Sequence, residues 1–290
     1  MDQRVIDLYD DFTHGGMNRR EFFDRLTMLT GSTAGAVTLL PLLQSDYARA
    51  ATIVADDPRL VAERMTYDSP KGKIKGYLVR LKGNAKRPAV VVIHENRGLS
   101  PHIEDVARRA AVAGFVALAP DLLSVAGGTP PVEDDARTLH TKTSKADIFQ
   151  AALAAVPFMK SHAGSTGKVG AVGFCYGGGV VNSLAVQSRD LGAAVAYYGQ
   201  QAAAAQVPSI TAPLLLHYAE LDKRINAGIA AYEAALKANN KRYTLHMYPG
   251  VNHAFNNETT GRYNKAAADL AWSRTLEFFR QNLGAPPSAS

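Results

Sequence analysis

Ala89-Val90-Val91-Val92-Ile93 is an unbroken apolar, mostly β-branched run with no polar face. A strand of this kind is buried on both sides, as happens at the centre of a parallel sheet covered by helices on each face. The pattern recurs along the chain. Strands are predicted at residues 73–81, 115–119, 168–174, 193–198, 213–218 and 242–248. Between them lie helical stretches at 103–113 (with Gly114 as the C-cap), 147–162, 177–187, 229–239 and 266–283. Strand–helix alternation predicts an α/β protein with a mostly parallel, doubly wound sheet, its ligands bound beyond the carboxyl ends of the strands. A chain of 290 residues, 47% hydrophobic, has enough apolar surface for one such domain.

The net charge of +6 is uneven: residues 1–50 carry −2 and the remainder +8. The basic body would attract an anionic substrate, or simply be a solvated surface. No basic run interleaved with aromatics and no finger-like pattern is present, so nothing points to nucleic acid. The single cysteine excludes an internal disulfide and a multi-cysteine metal site, and no cofactor-binding motif stands out.

That cysteine sits in Gly173-Phe174-Cys175-Tyr176-Gly177, directly after a predicted strand and opening a helix. This is the G-x-nucleophile-x-G elbow, with sulfur where serine is usual. The glycines give the chain room to turn tightly, and the Tyr176 amide at the helix N-terminus faces charge developing on an attacked carbonyl. An elbow nucleophile needs an acid and then a histidine, each just past a later strand. Asp222 follows the strand 213–218 and His253 follows the strand 242–248, in that order. Glu220 is the competing acid, placed nearer its strand's end. His217 and His246 fall inside apolar strands and read as packing residues. His140 and His162 lie in polar segments with no carboxylate placed for them.

His94-Glu95-Asn96-Arg97-Gly98 follows the first central strand. It lacks the second histidine of a zinc helix. In an α/β-hydrolase this loop donates the second oxyanion amide, here that of Asn96. Glu95 reads either as a working carboxylate or as a surface partner of Arg97.

With these four segments in place, residues 60–283 resemble the dienelactone hydrolase family. The resemblance rests on Gly173-Phe174-Cys175-Tyr176-Gly177-Gly178, Glu95, and Gly250-Val251-Asn252-His253-Ala254-Phe255. It implies an α/β-hydrolase fold and a Cys175-His253-Asp222 triad that cleaves esters or lactones through an acyl-enzyme. It also implies that Glu95 contacts the resting thiol and takes its proton when substrate binds. An unperturbed thiol, with a pKa of about 8.5, needs some such activation at neutral pH. The family's carboxylate-binding arginine after the strand 115–119 is missing here. Arg97, Arg224 and Arg262 are the candidates to replace it. A thioesterase, another carboxylesterase, and a weakly catalytic envelope protein that holds an anionic ligand are the competing functions.

Residues 1–50 carry Arg19-Arg20, a mildly apolar run over 26–43 and Ala48-Arg49-Ala50. Together they resemble a twin-arginine export signal, whose partner would be the export machinery and whose destination the periplasm. The run is too broken by Gly, Ser and Thr for a stable membrane span. The other reading is a short helix over 19–29 that packs on the domain, in a chain kept in the cytoplasm. The domain layout expected is therefore a leader at 1–50, a catalytic domain at 51–283 and a disordered tail at 284–290.

Overall fold

A computed structural model of the chain describes residues 2–49 and 52–286. The Ala50–Ala51 junction of the expected cleavage site, and residues 287–290 of the expected tail, lie outside the described residues.

The strands are β1 (Leu60–Ser69), β2 (Gly72–Leu81), β3 (Arg87–Ile93), β4 (Val116–Pro120), β5 (Ser165–Phe174), β6 (Leu191–Tyr197), β7 (Leu214–Ala219) and β8 (Tyr243–Tyr248). They form one sheet in the order β1-β2-β4-β3-β5-β6-β7-β8, parallel from β4 to β8, with β1 and β2 antiparallel at one edge. This is the α/β-hydrolase fold. Every residue of β3 is buried, as its unbroken apolar run predicts.

The helices are α1 (Gln3–Thr13), α2 (Arg19–Thr30), α3 (Thr33–Leu43), α4 (Pro101–Val112), α5 (Glu133–Lys142), α6 (Lys145–Ser161), α7 (Tyr176–Gln187), α8 (Lys223–Asn226), α9 (Ile229–Ala238) and α10 (Lys265–Leu283). One apolar layer, including Ile148, Val156, Val181 and Leu184, fills one face of the sheet. The other, including Ile103, Val106, Phe115 and Phe279, fills the opposite face. Of the expected tail, Pro286 lies against Gly114, where an added Cβ would fall 2.6 Å from its ring.

β1 escapes the sequence pattern because it is an edge strand: only Leu60 and Tyr67 of its ten residues are buried. The second departure lies at the N-terminus. Residues 3–43 form three helices with their own core of Val5, Leu8, Tyr9, Phe12, Phe22, Leu26 and Leu43. Asn18 caps α2 reciprocally with Glu21, and the Phe12 and Phe22 rings stack at 4.5 Å. Of the two readings of this stretch, the packed helix describes its conformation: Arg19 pairs with Asp134 at 2.6 Å, and the layer lies on the catalytic domain. No single helix among the described residues is long and apolar enough to cross a membrane.

Candidate active site

Cys175 stands between β5 and α7 with φ +55°, a left-handed conformation that L-residues adopt only under constraint. The constraint is visible in the flanking glycines. A Cβ on Gly173 would meet the Gly177 carbonyl oxygen at 2.1 Å, and one on Gly177 the Ile93 carbonyl oxygen at 2.4 Å. No side chain fits at either place, so β5, β3 and α7 close tightly around the turn. The Cys175 amide donates to the Tyr197 carbonyl at 3.1 Å, and the Gly178 amide returns to the Cys175 carbonyl at 3.0 Å. Tyr176 is the first residue of α7, so its N–H has no partner within the helix.

Asp222 and His253 meet as their order in sequence predicts. His253 Nδ1 donates to Asp222 Oδ2 at 2.5 Å, while Asp222 Oδ1 accepts from the Ile225 amide at 3.1 Å and caps α8. Glu220, the competing acid, instead accepts from the Gly250 amide at 2.7 Å and braces the histidine loop. His217 is fully buried between Tyr248 and Thr275, a packing residue as expected. His253 Nε2 is buried and makes no hydrogen bond among the described residues.

The sulfur has a partner that sequence reasoning missed. His14 Nε2 lies 3.2 Å from Cys175 Sγ. His14 ends α1, and its Nδ1 lies 2.7 Å from the Asp10 carbonyl oxygen and 3.4 Å from an Asp10 carboxylate oxygen. Its ring meets that of His253 edge-on at 5.0 Å. Burial pushes the Cys175 thiol up, but His253 and His14 outweigh it and hold the thiol at about 6, well below the usual range of a free cysteine. Burial likewise pushes His253 down, yet Asp10, the Cys175 sulfur and Asp222 bring it up to about 10. The site therefore favours a thiolate beside an imidazolium.

Glu95 does not take the place the family resemblance implies. Its carboxylate is buried and accepts from Asn257 Nδ2 at 2.8 Å, while His14 occupies the sulfur's hydrogen-bonding position. Nor is it the partner of Arg97, which pairs with Glu133 and donates to the Tyr9 hydroxyl at 3.2 Å. Asn96 is buried, and its side chain donates to the Thr13 carbonyl at 2.8 Å. The loop expected to complete the oxyanion hole thus also anchors the end of α1.

The three arginines considered for a substrate carboxylate are engaged within the protein. Arg97 is buried in the pairs just given. Arg262 and Arg224 both reach the Asp10 carboxylate, at 3.1 and 3.5 Å. The carboxylate they hold belongs to α1. Burial opposes the ionised form of Asp10, yet His253, His14 and these arginines hold its pKa far below the usual range.

Cys175 and His253 border a cavity of about 500 Å³. Thr13, His14 and Gly15 form one side; Phe149, Tyr176 and Val180 give it an apolar wall; Lys145 and Arg224 stand at its polar edge. His140, set aside in the sequence, also lines it. Burial and the charge on Lys145 hold its pKa down at about 3, so it faces the cavity as a neutral ring.

A family model described as the dienelactone hydrolase family matches residues 74–283. The chain belongs to the dienelactone hydrolase family. A second model, described as YqhI-like, matches residues 1–30, the stretch that carries His14. A candidate carboxymethylenebutenolidase of Escherichia coli O157:H7 is 30% identical over 260 residues, covering 82% of this chain and 96% of that one. A candidate hydrolase fragment of Escherichia coli K12, YghX, is 54% identical over 108 residues, 36% of this chain and 92% of that one. Among solved structures, a candidate dienelactone hydrolase from Klebsiella pneumoniae superposes with a TM-score of 0.70 at 26% identity, covering 77% and 99% of the two chains. The protein is accordingly an enzyme, a carboxymethylenebutenolidase-like hydrolase from a family that acts on small-molecule esters and lactones.

Proposed function

We propose that this dienelactone hydrolase homologue cleaves carboxylic esters and lactones by covalent catalysis, with Cys175 as nucleophile and the Asp222–His253 pair as its acid and base. The observation that carries the proposal is the strained cysteine on the wall of the 500 Å³ cavity, with His253 beside it and Asp222 2.5 Å behind. The Cys175 thiolate attacks the carbonyl carbon, and the Tyr176 and Asn96 amides receive the oxyanion. The C–O bond breaks as the His253 imidazolium protonates the leaving oxygen. Neutral His253 then takes a proton from water, and the resulting hydroxide releases the acyl group from sulfur.

Arg224 and Arg262 already engage the Asp10 carboxylate, so the reading is of esters and lactones that need no carboxylate of their own. This favours general ester or lactone hydrolysis over dienelactone itself. The twin-arginine reading stays within the proposal on one condition: residues 2–49 remain with the enzyme after export, because they form one side of the cavity.

The test is a short incubation with an activated ester, followed by intact-mass measurement. A single acyl adduct on Cys175 is expected in the native chain and none in Cys175→Ala, which should also lose hydrolysis by roughly a thousand-fold or more. A Cys175→Ala chain that keeps most of its turnover defeats the proposal.

A further inference from the structure

His14 comes from outside the segment that matches the hydrolase family, yet it makes the hydrogen-bonding contact to the sulfur. Three features of its setting bear on what it does there. First, a neutral imidazole carries one N–H, and its Nδ1 lies 2.7 Å from the Asp10 carbonyl, which can only accept. That bond places the N–H on Nδ1 and leaves the Nε2 lone pair facing Sγ at 3.2 Å. Second, the Asp10 carboxylate lies 3.4 Å from the same Nδ1, where it stabilises the ring once it is charged. Third, Asn96 fixes the adjoining Thr13 carbonyl at 2.8 Å, so the ring is held from the catalytic domain as well as from its own helix.

The result is a second carboxylate–histidine pair, Asp10–His14, converging on the sulfur that Asp222–His253 also approaches. Donor atoms of His14, Cys175 and His253 all lie within 4.8 Å of one another. The other charged groups around the pair are Arg224 and Arg262 on Asp10 and Lys145 on the cavity lining, which His140 joins as a neutral ring. Glu95, which the family resemblance assigns to the thiol, is bound to Asn257 instead.

Resting on the ester and lactone reading above, we propose that His14 is a catalytic residue of this enzyme, the base that takes the Cys175 thiol proton. Proton transfer from Sγ to Nε2 leaves a thiolate and a His14 imidazolium held by Asp10. This pair persists through the cycle. In acylation the thiolate forms the S–C bond, and His253 gives its proton to the leaving oxygen. In deacylation His253 recovers a proton from water, and collapse of the tetrahedral intermediate returns the thiolate to the His14 imidazolium. Activation of the nucleophile and protonation of the leaving group thus fall to different histidines.

The full-length chain and His14→Gln are compared by the pH dependence of Cys175 alkylation with iodoacetamide and by ester hydrolysis. In the native chain the alkylation rate should rise through pH about 6. In His14→Gln the midpoint should move up by at least one unit, and kcat/KM at pH 7 should fall by roughly 10²-fold. Exogenous imidazole should restore part of the activity to His14→Gly. An alkylation profile unchanged in His14→Gln overturns the assignment. If the His14 variants do not fold, histidine NMR on the native fold and on Cys175→Ala replaces them. Removing the sulfur should move the His14 Nε2 resonance at pH 7, because that nitrogen faces Sγ at 3.2 Å, and an unmoved His14 Nε2 resonance overturns the assignment equally. Cys175→Ala separates the two conclusions. Turnover surviving in it defeats the nucleophile, whereas turnover lost in it beside an unchanged His14→Gln profile defeats only His14.

Discussion

At the scale of single residues, the site is a contest between burial and charge. Taking Cys175 out of water favours the neutral thiol, and two nearby imidazoles reverse that preference. The signs for stability follow. The depressed thiol pKa stabilises the fold fully above pH about 9, and this contribution is lost as pH falls through about 6. The raised His253 pKa stabilises it fully below about 6.5, and this is lost as pH rises through about 10. Asp222 has two separable duties, orienting His253 and capping α8. Asp222→Asn keeps a good capping residue but loses the charge behind the imidazole. We expect its hydrolysis to fall by about 10²- to 10⁴-fold with a nearly unchanged melting temperature, measured by steady-state kinetics and calorimetry. Cys175, Asp222 and His253 were legible in the sequence because each follows a recognisable strand in a fixed order. His14 was not. It lies 161 residues from Cys175, and no local periodicity or spacing signals a pairing set by how two layers pack. The partner of Glu95 was not legible, because a motif position fixes the backbone, whereas Asn257 is brought to it by the loop after His253.

At the scale of elements, the decisive structure is the three-helix layer. In the sequence its apolar residues fit both an export leader and a helix packed on the domain. In the fold they form a small core in which Leu26 and Phe22 are almost wholly buried. Leu26→Ala removes packing that holds α1 against α2 and should cost the layer about 2–5 kcal/mol. Hydrogen exchange is the measurement: faster exchange is expected over α1 to α3, with β3 to β7 protected as before. Equal loss of protection in both would mean that the layer and the sheet unfold as one unit. The sheet itself was the most legible part, since buried parallel strands announce themselves as apolar runs. β1 hid because an edge strand needs few apolar residues.

At the scale of the whole molecule, the chain combines an acidic N-terminal fifty residues with a basic remainder. The opposite charges meet at specific places: Asp10 with Arg224 and Arg262, and Asp7 with Lys223. Export and retention then become separate questions. On the twin-arginine reading proposed above, changing Arg19 and Arg20 to Lys keeps the charge near Asp134 and should block envelope delivery. The mass of the native delivered chain should still include residues 2–49. A mature chain beginning near residue 51 would lack His14 and one side of its cavity, and would count against retention.

The contact between His14 and Cys175 also joins two populations that are usually distinct. Sulfur and base sit on layers tied by a handful of polar bonds, among them Asn96 to Thr13 and Gln3 to Asn252. With His14 as the base, only molecules whose layer is seated turn over at full speed, so the observed rate is the intrinsic rate multiplied by that occupancy. Warming should then dim the enzyme before the sheet melts, and turnover would report the docking equilibrium of its own first helix.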